Sequence, residues 1–422
     1  MYRTSRRLVA LAAAGACCLT LASCSDPSSP GAGGQSDSSE VKLNVWIMGE
    51  GGPTFTQLTK EFTDQTGVGV EVESIPWANV NDKLTTAVAS GQGPDVVQVG
   101  ISLLQTFDDA GVLTDLSELI ADYPDLAAGN FPDGVSPKEL DPEGRTMSIP
   151  WVSDVRVLFY RTDLLAAVGY DHAPANWNEM QTAAAKLAER GADQYGYTIP
   201  LWDNALILQY VWQQGGDIVA PDGSLDFQTP EFDAALDHYL AFFESGAAPS
   251  ATDFDQVQGF VTGNSPMTVS GPYLAPSITD AGPDIADDWT VALLPAGSSS
   301  RTSLFAGSNL AVWNGTEHLN EAIQLIDFMT KPEIQLAWYE EMSELPASQA
   351  ALDQLTAQGD PAVAVYVEQL ADARVVPQVP GWDLIANELT QTLTAIVTGA
   401  AERGTAMEQF YAKAAEIQAN YS

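Results

Sequence analysis

The stretch that decides the fold is residues 41–99, VKLNVWIMGEGGPTFTQLTKEFTDQTGVGVEVESIPWANVNDKLTTAVASGQGPDVVQV. Its apolar, β-branched runs predict three strands, at residues 41–47, 67–72 and 95–99. Apolar residues recur at helical spacing between these strands, at Phe55, Leu58 and Phe62 and again at Leu84, Ala87 and Val88, before Gly91. Since strands that alternate with helices are joined by right-handed crossovers, the stretch predicts an α/β fold with a mainly parallel sheet.

A second strand–helix unit of the same kind is predicted after Pro150. Its first strand is residues 155–160, and short strands follow at 267–270 and 289–293. Helices are predicted at residues 178–189, 204–213, 229–244, 321–329 and 332–342, and again from residue 383 to the end. A chain of 422 residues is long enough for two or three such units.

The N-terminus has the pattern of an export signal. Arg3, Arg6 and Arg7 precede the apolar run 8–21, which is too short to span a bilayer. The run ends in Leu-Ala-Ser-Cys24, which resembles the lipobox of bacterial lipoproteins, and a polar stretch follows. We therefore expect a lipoprotein signal peptide at 1–23, lipidation of Cys24, and a flexible tether at 24–40. An ordinary signal peptide that ends near a cysteine is the alternative.

Composition excludes several classes of function. The net charge of −39 becomes about −42 without residues 1–23, so nucleic acid and anionic lipid surfaces are poor partners. The three cysteines lie at or before Cys24, and the three histidines are far apart, so neither disulfides nor a metal site are predicted. No phosphate-binding loop or nucleophile motif occurs, which lowers the expectation of an enzyme and indicates no cofactor.

A series of short motifs resembles a known family in order and spacing. The motifs are WIMGEG at 46–51, EFTDQTG at 61–67, SGQGPDVV at 90–97, IPWVSDVRVLFYRTDL at 149–164, FVTGNSPMTVSGPY at 260–273 and LPAG at 294–297. Across residues 41–421 the chain resembles the extracellular sugar-binding lipoproteins of ABC importers, the group that includes maltose-binding protein. One segment departs from that protein: residues 99–103, VGISL, lack its aromatic and charged ligand contacts, so maltose itself is not indicated.

The resemblance implies a two-lobe, hinge-linked fold of the type II periplasmic-binding-protein kind, with a ligand cleft between the lobes. Lobe 1 would be residues 41–152 plus 306–343, and lobe 2 residues 155–303 plus 346–422. The implied function is capture of a monosaccharide or oligosaccharide outside a bacterial cell and delivery to ABC permease subunits. The protein would be a monomer, held at the membrane only by its lipid anchor.

A sugar offers flat C–H faces to aromatic rings and hydroxyl groups to acids and amides. The resemblance places acids at Glu50 and Asp154 and a stacking ring at Tyr273. Other candidates are the loop residues that the resemblance or their position after a strand singles out: Trp77, Ser102, Trp202, Asp203, Asn309 and Trp382. Arg156 points the same way as Asp154 on a strand, so it could donate to the same hydroxyls or simply pair with that acid.

Three alternative functions remain open. A secreted glycoside hydrolase would also use acids and aromatic rings, with two carboxyls at a set separation, and would turn its sugar over. A surface adhesin would bind a macromolecule and would need no closing cleft. Within the same fold, the ligand could be a polyol, a glycerol phosphoester or a siderophore, although the net charge disfavours phosphate ligands.

Overall fold

A computed structural model describes residues 41–132, 144–203 and 205–421. The expectations for the signal peptide, the tether, Cys24 and Asn204 fall outside these residues. The strands are β1 (Lys42–Met48), β2 (Gly69–Ile75), β3 (Val96–Gly100), β4 (Ile149–Ser153), β5 (Val157–Arg161), β6 (Met267–Ser270), β7 (Trp289–Ala292), β8 (Ser303–Leu304), β9 (Ser308–Val312), β10 (Leu345–Pro346) and β11 (Ala373–Arg374).

The α-helices are α1 (Gly52–Thr66), α2 (Val80–Ser90), α3 (Ile101–Asp109), α4 (Thr162–Ala167), α5 (Trp177–Ala188), α6 (Leu206–Gln213), α7 (Pro230–Glu244), α8 (Gln256–Val261), α9 (Leu274–Ala281), α10 (Leu319–Met329), α11 (Pro332–Met342), α12 (Gln349–Ala357), α13 (Pro361–Leu370), α14 (Trp382–Val397) and α15 (Arg403–Ala419). No helix of the described ranges is both long enough and apolar enough to cross a membrane.

The predicted parallel unit forms half of a six-stranded sheet with the order β10-β4-β9-β3-β1-β2. β1 pairs in parallel with β2 and with β3, as expected from the strand–helix alternation. β3 is buried along its whole length, which explains its largely apolar sequence; its one polar side chain, Gln98, is buried and bonds the Met48 amide and Ser308 Oγ. On its other side β9 runs antiparallel to β3 and to β4, and β4 pairs antiparallel with β10. The parallel prediction therefore holds for β1, β2 and β3 and not for the rest of the sheet.

The second sheet has the order β6-β5-β7, and both pairs are antiparallel. The prediction of a second unit of the parallel kind was therefore wrong. The strands themselves were predicted within a few residues, but an apolar strand of four or five residues does not encode the direction of its neighbours. Direction depends on the path of the intervening helices, which is a property of the tertiary structure.

β5 separates two hydrophobic cores. Val157 and Phe159 point into a core that surrounds the first sheet, while Leu158, between them, points into a second core. This alternation follows from the two-residue period of a strand. The second core is built mainly by α5, α6, α7, α14 and α15. Because both faces of β5 are covered, the strand is apolar at consecutive positions.

Three segments connect the first sheet to the rest of the chain, and they lie side by side. The segment between β4 and β5 meets residues 303–306 in the opposite direction: Val155 bridges Phe305, and the Ala306 amide donates to the Asp154 carbonyl at 2.8 Å. The third segment leads from α11 into β10, which pairs with β4. Polar side chains on these segments are therefore brought together between the two cores.

Gly93 illustrates how closely the first core is packed. Trp313 is buried, and a Cβ atom on Gly93 would lie 2.2 Å from its Cε2 atom. We expect Gly93→Ala to lower the free energy of unfolding by about 1–3 kcal/mol, because the indole ring has to move within a filled core. Urea unfolding measures this difference. Gly129→Ala is the control, since a Cβ atom there meets nothing within 4 Å, and an equal loss in both variants would contradict the packing argument.

Candidate functional site

A linked set of polar side chains lies where β4 leads into β5. Asp154 and Arg156 form an ion pair, with 3.3 Å between the Asp154 Oδ2 and Arg156 Nη1 atoms, and 18% of the Asp154 side chain is exposed. The same Nη1 donates to the Tyr273 hydroxyl at 2.8 Å, and Ser270 Oγ donates to that hydroxyl at 3.2 Å. Two hydrogen bonds therefore anchor the hydroxyl end of the Tyr273 side chain. The residue is 37% exposed, so part of its ring remains open to solvent.

Gly271 allows this arrangement. A Cβ atom at this position would lie 2.1 Å from the Asp154 Oδ1 atom, so a larger residue would displace the carboxylate or the turn that carries Tyr273. Gly271 lies between β6 and α9, and Asp154 follows β4. The close approach of backbone and carboxylate is the reason that the turn requires glycine.

Burial and charge act against each other at the ion pair. Burial raises the pKa of Asp154, Arg156 lowers it, and Asp203 raises it again, with a raised pKa as the net result. Burial works to lower the pKa of Arg156, but the Asp154 charge outweighs it, so the pKa of the guanidinium is raised. Arg156 thus stays charged. Of the two roles considered for Arg156 from the sequence, pairing with Asp154 is the one seen here.

Trp202 and Asp203 lie between the Pro200 turn and α6, on the side of the second core. Trp202 is exposed and borders a cavity of about 260 Å³ whose lining includes Thr198 and Phe254. The Asp203 carboxylate accepts a hydrogen bond from the Ala205 amide at 3.0 Å, which fixes the entry to α6. Because its charge acts on Asp154, Arg156 and Tyr273, Asp203 faces the ion pair.

On the first sheet, Trp77 lies over the carboxyl ends of β1 and β3. A Cβ atom on Gly49 would come 2.7 Å from its Nε1 atom, and one on Gly100 would come 3.8 Å from its Cζ3 atom. The ring itself is exposed, as are the neighbouring Glu50 and Ser102. Ligands of open α/β sheets bind beyond the carboxyl ends of parallel strands, so this edge is the position where such a site is expected.

Two predicted site residues lie in the interior. Asn309 is buried in β9, where its Nδ2 donates to Ser148 Oγ at 2.8 Å. Trp382 begins α14, is 4% exposed and belongs to the second core. The structure does not bring either of them to an open surface. Packing accounts for the burial of Trp382 without a ligand, and its stacking role stays a prediction.

The sequence analysis passed over Glu344 and the pair formed by Thr106 and Asp383. Glu344 lies in the segment between α11 and β10, which is one of the three connecting segments described above. An acid in such a connecting segment is the sequence feature that could have indicated it. Thr106 on α3 donates to the Asp383 carboxylate on α14 at 3.1 Å, which links the two predicted lobes. No sequence pattern indicates that contact, because the two residues are 277 positions apart.

Comparison with known proteins identifies the class. The pattern of the bacterial extracellular solute-binding proteins matches residues 47–336, and the chain belongs to this family. A putative binding protein of Brucella abortus is 27% identical over 394 residues, covering 90% of this chain and 94% of that protein. The diacetylchitobiose binding protein DasA of Streptomyces coelicolor is 23% identical, covering 93% of this chain and 94% of its own.

Among solved structures, the sugar-binding protein MalE of Xanthomonas citri superimposes with a TM-score of 0.82 at 26% identity, covering 90% of this chain and 98% of that chain. The predicted fold, α/β and of the type II periplasmic-binding-protein kind, is thereby confirmed. The protein is a solute-binding protein and not an enzyme.

Asp383 makes stability depend on pH. Burial raises its pKa to about 6, and the Thr106 hydrogen bond lowers it by less. The folded state therefore binds the proton more tightly than the unfolded chain, whose aspartate pKa is about 3.9. The stability that protonation provides is present below about pH 4 and is lost as the pH rises through about 6.

We expect Asp383→Asn to flatten this dependence. Since asparagine stays neutral, the variant gains about 1 kcal/mol over the wild type at about pH 7.5 relative to about pH 4.5, after an allowance for solvent screening. Thermal unfolding at the two pH values measures the change. Asp287→Asn, at an exposed aspartate, is the matched control. A constant difference between Asp383→Asn and the wild type at both pH values would contradict the assignment.

Proposed function

We propose that this protein captures a carbohydrate outside the cell and passes it to the membrane subunits of an ABC importer. The observation that carries the proposal is the exposed Tyr273 ring, anchored by Arg156 beside the largely buried Asp154 carboxylate. A ring and an acid that share the Arg156 guanidinium match the apolar face and the hydroxyl rim of a sugar. The printed names of two relatives, a diacetylchitobiose binding protein and a sugar-binding protein, support the same class of ligand.

The exposed aromatic rings support this proposal independently. Among the described residues, five large hydrophobic side chains are exposed, and three of them are the predicted ligand contacts Trp77, Trp202 and Tyr273. An exposed ring lacks the favourable free energy of burial, which is about 25 cal/mol for every Å² of apolar surface. A sugar that stacks on the rings would recover this free energy. The polar groups beside them, Glu50 and Asp203, would then set the orientation of the ligand.

We also propose the lobe boundaries expected from the sequence, 41–152 plus 306–343 and 155–303 plus 346–422. The two rings Trp77 and Tyr273 then belong to different lobes, and the crossing segments described above form the hinge. Helix α12 adds Leu352 and Leu355 to the first core, so the segment after the third crossing packs near the hinge. A sugar that touches both lobes favours closure only by its differential affinity for the closed state.

Lipid anchoring completes the proposal. The basic start, the short apolar run and Leu-Ala-Ser-Cys24 support a lipoprotein that faces outward from a bacterial membrane, tethered through residues 24–40. A binding protein that is anchored near its permease releases its ligand at the membrane where the permease lies. We propose a monomer, as the resemblance in the sequence implies.

One prediction concerns the contribution of the exposed aromatic rings to sugar binding. We expect Tyr273→Ala and Trp77→Ala each to weaken sugar binding at least about tenfold, because stacked aromatic area is lost and tenfold corresponds to about 1.4 kcal/mol. Titration calorimetry with maltotriose and diacetylchitobiose gives the dissociation constants. Tyr170→Ala, at a half-buried tyrosine on the α4 side of the molecule, is the control and should keep wild-type affinity. Sugar products found by chromatography after incubation would contradict a pure binding function.

The second prediction concerns Cys24. We expect Cys24→Ala to release the mature protein from the membrane into the medium, because the lipid anchor is expected on this cysteine. Stable anchoring needs two acyl chains or an equivalent second signal. Fractionation of expressing cells followed by immunoblotting measures the distribution. A variant that stays with the membrane would show that the chain is held there by something other than this cysteine.

A further inference from the structure

The strand register of the first sheet sets a second carboxyl group, that of Glu344, opposite Asp154 on the neighbouring strand. In the antiparallel pair of β10 and β4, Leu345 is opposite Ser153 and Pro346 is opposite Val152. Continuing this register by one residue sets Glu344 opposite Asp154. Cβ atoms of directly opposed residues lie about 4.5–5.5 Å apart, and like charges in such positions repel.

Glu344 also connects the two halves of the candidate site. Its Oε2 atom accepts a hydrogen bond from Trp338 Nε1 at 2.8 Å, and its side chain is only partly covered. The Trp338 ring fills the space beside Gly51, since a Cβ atom there would lie 2.5 Å from its Cη2 atom. Gly51 follows Glu50 at the carboxyl end of β1. Trp338 therefore links Glu344 to the loop that follows β1, in which Glu50 lies.

The surroundings contain buried polar atoms that have no partner among the described residues. Arg156, 8% exposed, points its guanidinium at Asp154 and leaves Nε unpaired. Tyr366 on α13, 3% exposed, leaves its hydroxyl unpaired; burial raises the pKa of this hydroxyl, and the charges of Tyr339 and Asp154 raise it further. The Asp154 Oδ1 atom is also unpaired. Buried polar groups are normally hydrogen-bonded, so these unpaired atoms leave hydrogen-bonding capacity unused beside the ion pair.

We propose that Glu344 is a ligand-binding residue that engages the sugar in its protonated form, as the partner of an ionised Asp154. This inference rests on the proposed carbohydrate binding and adds a residue and a proton to it. Two opposed carboxylates resist ionising together. Burial raises the pKa of Asp154, but of the two acids it is the one with a cation, Arg156 at 3.3 Å, that lowers the pKa again and favours its charged form. Glu344 has no cation of its own among the described residues; the groups that face it are Asp154 and the neutral Trp338.

The protonated carboxyl is suited to a sugar, since it donates one hydrogen bond and accepts others, whereas Asp154 only accepts. Burial raises the pKa of Glu344 to about 7, the Trp338 hydrogen bond lowers it, and the Asp154 charge raises it. Below this pKa the free protein is already in the binding form. Above it, binding has to take up a proton, so affinity falls by up to about tenfold for each further pH unit.

The test is titration calorimetry of the full mature protein with maltotriose and diacetylchitobiose, from about pH 5.5 to about pH 8.5, in two buffers of different ionisation enthalpy. For the wild type we expect affinity to fall above about pH 7 and a proton to be taken up on binding. Glu344→Gln retains a donor and an acceptor, so its affinity is expected within about threefold of the wild type at low pH and flat with pH. Glu344→Ala is expected to lose at least about tenfold at every pH.

Glu341→Gln is the matched control, because Glu341 is an exposed acid near the end of α11, three residues before Glu344. It should keep both the affinity and the pH dependence of the wild type. If the wild type binds sugar and Glu344→Gln keeps the wild-type slope, or Glu344→Ala keeps its affinity, the inference is overturned while the proposed function stands. If the wild type binds neither sugar at any pH, the proposed function fails and the inference falls with it. Circular dichroism of each variant separates loss of binding from loss of fold.

Discussion

The ion pair between Asp154 and Arg156 lies on the short segment that joins the two sheets, and the geometry of the candidate site depends on it. Its arginine anchors the Tyr273 hydroxyl, and its aspartate occupies the space that Gly271 leaves free. The backbone of the same segment bonds to the returning segment at Ala306 and Phe305. The pair thus ties β4, β5, the turn after β6 and a second crossing segment to one another.

A buried ion pair of this kind is not an obvious source of stability. Desolvation of the two charges offsets much of their attraction, and removing one partner alone leaves a buried charge that costs several kcal/mol. Here the pair also leaves Asp154 Oδ1 and Arg156 Nε without partners among the described residues. Unpaired buried atoms add to the cost of burying the pair. The pair is therefore better explained by the residues that it positions than by the stability that it provides.

The balance of charge around the site follows the balance in the whole chain. With a net charge of −39, acids outnumber cations in the chain as a whole, and the site has Arg156 as its cation against Asp154, Asp203 and Glu344. A strongly negative protein repels anionic solutes, while a neutral sugar is unaffected by the field. The same excess of acid makes the protonation of individual carboxyls important, since each acid without a cation is pushed toward its neutral form when it is buried.

Local sequence patterns determined much of this protein. The alternation of apolar strands and amphipathic helices predicted β1 to β3 with α1 and α2, and motif order predicted the family and the positions of Asp154, Arg156 and Tyr273. These features are encoded in neighbouring residues, so they can be recognised without the fold. Only the tertiary structure decided the antiparallel pairing of β5, the burial of Trp382 and Asn309, and the register that sets Glu344 opposite Asp154. Each of these depends on which distant segments become neighbours: Glu344 and Asp154 are 190 positions apart in the chain, and the register of β10 beside β4, continued by one residue, sets them opposite each other.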